Sequence, residues 1–143
     1  MFSSLKLSAV LLPAVASAVN VFFDPVYNNP NGSLTTVACS NGSNGLITRF
    51  GFQNFSDVPT FPNIGGADVI QGFNSAGCGT CFNITFTDSN QTTTSITYTA
   101  LDVAGDGFVA SEDALNTLTG GQAERLGVIN ATAVQLDPSA CGL

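Results

Sequence analysis

The chain has 143 residues, three basic residues against ten carboxylates, a formal charge of −7, and neither histidine nor tryptophan. Without imidazole there is no Ser-His-Asp or Cys-His nucleophile system and no histidine metal site, so carboxylates are the general acids and bases left near neutral pH. The absence of a basic footprint excludes nucleic acid and anionic membrane surfaces as partners.

Residues 1–18 combine one cation, Lys6, with an apolar run over 7–15 and the small residues Ala16, Ser17 and Ala18. This is the pattern of a cleaved secretory signal, and the run is too short to span a bilayer. Cleavage after Ala18 leaves one domain, 19–143, with Arg49 and Arg125 as its cations and a formal charge of −8. A surface rich in Ser, Thr, Asn and Gly suits a soluble extracellular protein that works against uncharged polymers or at interfaces.

Residues 19–27 read as an extended lead-in carrying Phe22, Phe23 and Tyr27 around Asp24-Pro25, and 28–33 as a turn cluster. Residues 45–52 fit a helical turn or a strand equally, and 61–66, with Pro62 and paired glycines, fit a structured loop. Alternation of apolar and polar residues predicts strands over 81–87 and 95–102, joined through turn-forming 88–91 into a hairpin. Ser111 as cap, Glu112 and Asp113 in the first turn, the stripe Ala114, Leu115 and Leu118, and the stop Gly120-Gly121 predict a short helix. A last strand over 133–137 leads to Cys141. Short strands, frequent turns and one helix favour a β-barrel, which also removes exposed edges.

Cys78-Gly79-Thr80-Cys81 has the spacing of a redox pair, but its second cysteine opens an alternating strand rather than a helix. Cys39 and Cys141 each stand alone, which disfavours a four-thiolate zinc site. Two structural disulfides are the better account, and three pairings remain open. Linking Cys39 to Cys78 and Cys81 to Cys141 closes long loops, each worth about 4 kcal/mol at most on the chain-entropy model.

An ordered set of stretches spans the region after residue 18: Asp24-Pro25-Val26-Tyr27, Cys39-Ser40-Asn41-Gly42, Gly45-Leu46, Val58-Pro59-Thr60-Phe61-Pro62-Asn63-Ile64-Gly65-Gly66 and Cys78-Gly79-Thr80-Cys81. Asp102, Gly107-Phe108, the helix at 114–118 and Val134-Gln135-Leu136-Asp137 before Cys141 continue it. The set resembles the cerato-platanin family of small secreted fungal proteins. The resemblance implies a mainly β fold: a six-stranded double-psi β-barrel with one or two short helices, as in expansin first domains, with Cys39 bonded to Cys78 and Cys81 to Cys141. It further implies a cofactor-free, non-catalytic protein of the extracellular space and fungal cell wall. Such a protein binds chitin or N-acetylglucosamine oligomers, loosens polysaccharide packing, self-associates at interfaces and is sensed by a host plant surface receptor. This chain departs from the family in having Phe73 and Phe82 where Trp is frequent and Phe23 where Tyr is frequent. Phenylalanine keeps a stacking face without the polar handle.

Asp102 matches the family's acidic groove residue and offers a charge-assisted acceptor to a sugar hydroxyl or amide; fixing the glycine-rich loop that follows is the structural alternative. Asp24, Tyr27, Asn41 and Asn44 are the other groove candidates. Glycoside hydrolysis needs two carboxyl groups flanking one bond, for which Asp24, Asp102 and Asp106 are available, so a weak hydrolase using Asp102 is one competing function. An interfacial signalling protein with incidental sugar binding is another. Residues 102–113 have Asp at positions one, five and twelve of a calcium-loop spacing, but Ala104 and Ala110 occupy ligand positions, and no metal site is expected. Asn31, Asn41, Asn54, Asn83, Asn90 and Asn130 each open an N-glycosylation sequon, and a glycan at Asn41 would crowd the groove.

Overall fold

The structure is a computed structural model and describes residues 15–143, so the expected signal run lies outside the described residues except for Val15. Six strands close into a barrel in the order β1-β5-β2-β4-β3-β6. Their ranges are β1 Ser17–Phe23, β2 Ile64–Ala67, β3 Cys81–Thr87, β4 Thr93–Val103, β5 Phe108–Ala110 and β6 Ile129–Leu136. β1 runs parallel to β5 and β2 parallel to β4, while the other neighbours are antiparallel.

The β3–β4 hairpin follows the sequence alternation. Phe82 lies opposite Tyr98 and Ile84 opposite Ile96 on the buried face. Outside, paired hydroxyls line up, with Thr85 and Ser95 at 2.6 Å and Thr87 and Thr93 at 2.9 Å. Inside, Phe108 receives Phe82 and Tyr98 edge-on at centroid distances of 4.9 and 5.3 Å, arrangements that favour aromatic quadrupoles. Tyr98 is fully buried, and its hydroxyl donates to the Gly66 carbonyl at 2.9 Å. Gly65 makes room for it: a Cβ there would lie 2.6 Å from the Tyr98 hydroxyl and closer still to the Val109 carbonyl.

The predicted helix is α2, Glu112–Thr119, the second of three among the described residues. The Ser111 hydroxyl accepts from the Ala114 N–H at 3.0 Å, Leu115 and Leu118 are buried, and Gly120 ends it at φ +67. The ambiguous segment is a single-turn helix, α1 (Leu46–Phe50), which buries Leu46, and α3 (Ala123–Leu126) is another single turn, so the described residues hold three short helices where one or two were expected. Four more expectations change. The lead-in is a strand that gives way to a 3-10 turn, Pro25–Asn28, carrying Tyr27. The loop at 61–66 ends in β2, the connection before α2 contains β5, and the last strand begins at Ile129. β2 and β5 have too few residues for alternation to register, and neighbouring strands on both sides make them strands.

Both disulfides pair as the resemblance implied. Cys39–Cys78 and Cys81–Cys141 bridge Cα atoms 5.4 and 5.8 Å apart and close separations of 39 and 60 residues. The Cys-x-x-Cys thiols thus point to different partners, which removes the redox and zinc readings. Between them Gly79, at φ +80, donates to the Ala100 carbonyl at 2.9 Å, and Ala100 donates back to Thr80 at 3.0 Å. Both bridges are therefore anchored on β4.

Replacing Tyr98 by Phe keeps the ring packing but strands the Gly66 carbonyl. Unfolding in denaturant should show a loss of about 1–2 kcal/mol with an unchanged slope.

Candidate functional site

At the far end of β4 the strand carries Asp102 outward, opposite Gly66 of β2, where the register shifts by a bulge. Its half-buried carboxylate takes three hydrogen bonds. One oxygen accepts from the Tyr27 hydroxyl at 2.7 Å. The other accepts from the Ala38 N–H at 3.1 Å and the Val103 N–H at 2.9 Å. Tyr27 reaches it because the 3-10 turn is fixed at its entry: Asp24 accepts from the Val26 N–H at 2.9 Å, its own N–H bonds the Ala110 carbonyl at 2.9 Å, and Pro25 presets the first turn. The Tyr27 ring is buried against Phe55, with centroids 5.9 Å apart. Ala38 is held in turn because the next residue, Cys39, donates to the Leu101 carbonyl at 3.1 Å.

Burial, then the hydrogen bond and charge of Asp102, push the Tyr27 hydroxyl well above the ordinary phenol range. Burial does the same to Tyr98. Tyr27 is therefore a neutral donor, and Asp102 is an acceptor locked in place. A carboxylate has about four acceptor positions, so three protein donors leave about one for a ligand. The carboxylate chiefly ties down segments far earlier in the chain, Tyr27 and Ala38, rather than the glycine-rich loop that follows it. The other carboxylates are occupied separately, Asp24 on Val26 and Asp106 on the Asn20 side-chain amide at 3.1 Å.

Asp102 and Tyr27 are joined directly, and Asp24 is near enough for its charge to act on Tyr27. Asn41 is exposed, and its carbonyl accepts from the Thr48 hydroxyl. Asn44 is clasped by Asn74, whose side-chain oxygen takes the Asn44 N–H at 2.7 Å and whose carbonyl takes the Asn44 amide at 3.0 Å. It faces a concavity of about 480 Å³ shared with Arg49, Cys78 and Gln135, a different region from that of Asp102. Phe82 belongs to the core at 7 % exposure, so it is no stacking platform, and Phe23 packs against the core; Phe73, 67 % exposed, is the aromatic that projects. Residues 102–113 form no calcium loop, since β5 runs through them and Phe108 is buried.

Sequence reasoning missed Asn74 and Arg49. Asn74 holds φ +60, a conformation Asn tolerates well, but nothing local marks which loop it clasps. Arg49 lays its guanidinium over the Phe50 ring at 4.7 Å and donates to the Cys78 carbonyl at 3.3 Å.

A family model described as Cerato-platanin matches residues 19–143. Among curated proteins, an "Allergen Asp f 15 homolog" of Arthroderma benhamiae is 45 % identical over 129 residues, covering 90 % of this chain and 60 % of the relative. The chain thus spans less than two thirds of that relative's length. Among solved structures, cerato-platanin 2 from M. perniciosa superposes with a TM-score of 0.85 at 47 % identity, covering 89 % of this chain and 100 % of the other. The solution structure of the fungal elicitor Cerato-Platanin gives 0.73 at 36 % identity, covering 86 % and 96 %.

The two tyrosines are the only ones in the chain, which makes their ionisation readable. Both folded phenols lie above the unfolded value near 10, so their stabilising contribution is complete below about pH 10 and is lost as pH rises beyond it. An alkaline absorbance titration should show no phenolate until the protein unfolds, whereas the denatured chain titrates near pH 10. Tyr27→Phe should shallow the fall of stability with pH.

Proposed function

This chain belongs to the cerato-platanin family, and we propose that it is a non-catalytic extracellular protein that binds chitin or related N-acetylglucosamine oligomers on the shallow surface around Asp102. The observation that carries this reading is the Asp102 carboxylate, fixed by Tyr27, Ala38 and Val103 and keeping acceptor capacity toward solvent. An acceptor immobilised before the ligand arrives costs little ordering on binding, and charge strengthens its hydrogen bond to a sugar hydroxyl or acetamide N–H. Asp24, Tyr27 and the exposed Asn41 border that surface in this proposal, while Asn44, turned to Asn74 and a separate concavity, lies outside it.

Non-catalytic action fits the way the carboxylates are spent. Asp24 and Asp106 serve a backbone N–H and an asparagine, whereas glycoside hydrolysis needs two carboxyl groups free to flank one bond. Loosening of wall polysaccharide would follow from competition for hydroxyls between chains, and host sensing is the role that the elicitor relative's name supports. An uncharged polymer also meets no long-range repulsion from an acidic protein.

A second reading has its own observation. Phe73 at 67 %, Val26 at 55 % and Val103 at 45 % are large apolar side chains left in water, which favours adsorption and self-association at interfaces.

Two measurements separate these readings. Titration with chitin oligomers followed by chemical shifts should show Asp102→Asn weakening binding by about tenfold, the loss of one charge-assisted contact, with the fold intact. No shift from any chitin oligomer, or release of reducing ends abolished by that variant, would reverse the proposal. Phe73→Ser should slow the fall of surface tension and leave the titration unchanged.

A further inference from the structure

The six sequons, one of them at Asn41 beside the proposed surface, are treated unequally by the structure. Ser33, third in the Asn31 sequon, spends its hydroxyl on the Thr35 N–H at 3.2 Å, and Ser43, third in the Asn41 sequon, faces the Asn74 amide at 3.5 Å. Asn54 is half-buried at the entry to a 3-10 turn. Asn83 is half-buried and donates to its own sequon hydroxyl, Thr85, at 3.3 Å, while Asn130 donates to Asn20 at 3.5 Å. Asn90 differs. It is exposed, as Asn31, Asn41 and Asn130 are, but among the described residues neither its side-chain amide nor the Thr92 hydroxyl has a hydrogen-bond partner. Its turn is secured without them, by Asp88, whose Oδ1 accepts from the Asn90 N–H at 2.8 Å and the Thr92 N–H at 2.9 Å.

Asn90 also opens onto a cleft of about 580 Å³ between the β3–β4 hairpin tip and the turn after α2. Phe86 is in its wall, along with Asp88, Gln122 and Arg125. Only the Arg125 Nε is engaged, on Gln122 at 2.6 Å, so the terminal guanidinium nitrogens and the second Asp88 oxygen have capacity left. An aromatic face with a guanidinium, a carboxylate and an amide around it is the chemistry that receives an N-acetylated sugar: ring C–H groups on the aromatic, acetamide oxygen on the guanidinium, hydroxyls on the carboxylate.

We propose that Asn90 carries an N-linked glycan whose first N-acetylglucosamine occupies this cleft and stacks on Phe86. The bond formed joins Asn90 Nδ2 to C1 of that sugar. The bond broken is C1–O of a polyprenyl-diphosphate oligosaccharide, whose diphosphate leaves while the amide proton passes to solvent. The inference rests on the extracellular reading, because that transfer happens to chains entering the secretory route. β4 separates the modified tip from Asp102 by its eleven residues, roughly 30 Å at the rise of a strand, so the glycan shields one pole and leaves the Asp102 surface open.

The test expresses the full-length chain in yeast and analyses protein recovered from the medium. Peptide mass analysis is expected to find hexosamine on Asn90. After an endoglycosidase trims the glycan to one sugar, this form should melt about 3 °C above the Asn90→Gln variant, the size of shift an aromatic contact produces in such a domain. In a Phe86→Leu background, which keeps an apolar side chain in place, the difference should vanish. Secreted protein with bare Asn90 overturns the site, and equal melting of trimmed and Asn90→Gln forms overturns the stacking, both leaving the extracellular reading standing. A chain that never reaches the medium overturns both.

Discussion

Strand β4 has hydrogen-bonding groups along both edges, and two strands, both disulfide-bearing loops and the Tyr27 turn are fastened to it. β3 and β2 flank it in the barrel. Beyond those ladders, Leu101 takes the Cys39 N–H and Ala100 exchanges hydrogen bonds with the Gly79-Thr80 link, so both disulfide-bearing loops lie along the same strand. Its inward Tyr98 ties the strand to β2 through the Gly66 carbonyl, and its outward Asp102 ties it to the Tyr27 turn and to Ala38. A buried polar group must be partnered or its desolvation is uncompensated, and Gly66 for Tyr98, like Tyr27 and Ala38 for Asp102, comes from a distant part of the chain.

The same economy bears on the binding surface proposed around Asp102. A free carboxylate on a mobile loop would have to be ordered by its ligand. Asp102 is already ordered by three donors, and Tyr27 stays neutral because burial and the neighbouring carboxylate both oppose its ionisation. The hydrogen bonds that stabilise the fold at this end of β4 thus also prepare the acceptor. At the other end Asp88 does comparable work, closing the hairpin turn with backbone donors so that Asn90 and Thr92 remain unengaged.

Much of this was legible along the chain where signals are local. The alternation in β3 and β4, the Ser111 cap, the α2 stripe and the Gly120 stop all act within a few residues, and each element forms where those signals place it. β2 and β5 were not legible. Gly65 and Gly66 supply no side chain to alternate, and β5 has three residues, so long-range pairing alone makes them strands. Phe82 illustrates the complementary difficulty: its neighbours in sequence do not reveal that Phe108 closes over it.

For the site, Asp102, Tyr27 and Asp24 were singled out through the family resemblance and, for Asp102, its place at the end of an alternating strand, but neither says what they do to one another. That Tyr27 donates to Asp102 across 75 positions, and that Asn44 turns instead to Asn74, depends on loops brought together only when the barrel closes. By itself the sequence determined composition, charge, strand alternation, helix capping and, through an ordered set of motifs, family membership; these are properties of neighbouring residues or of residue order. Which cysteines met, implied along the chain only by the family resemblance, which aromatic rings were buried and which carboxylates kept an open acceptor were decided by the tertiary structure, because each depends on distances between segments that no local pattern encodes.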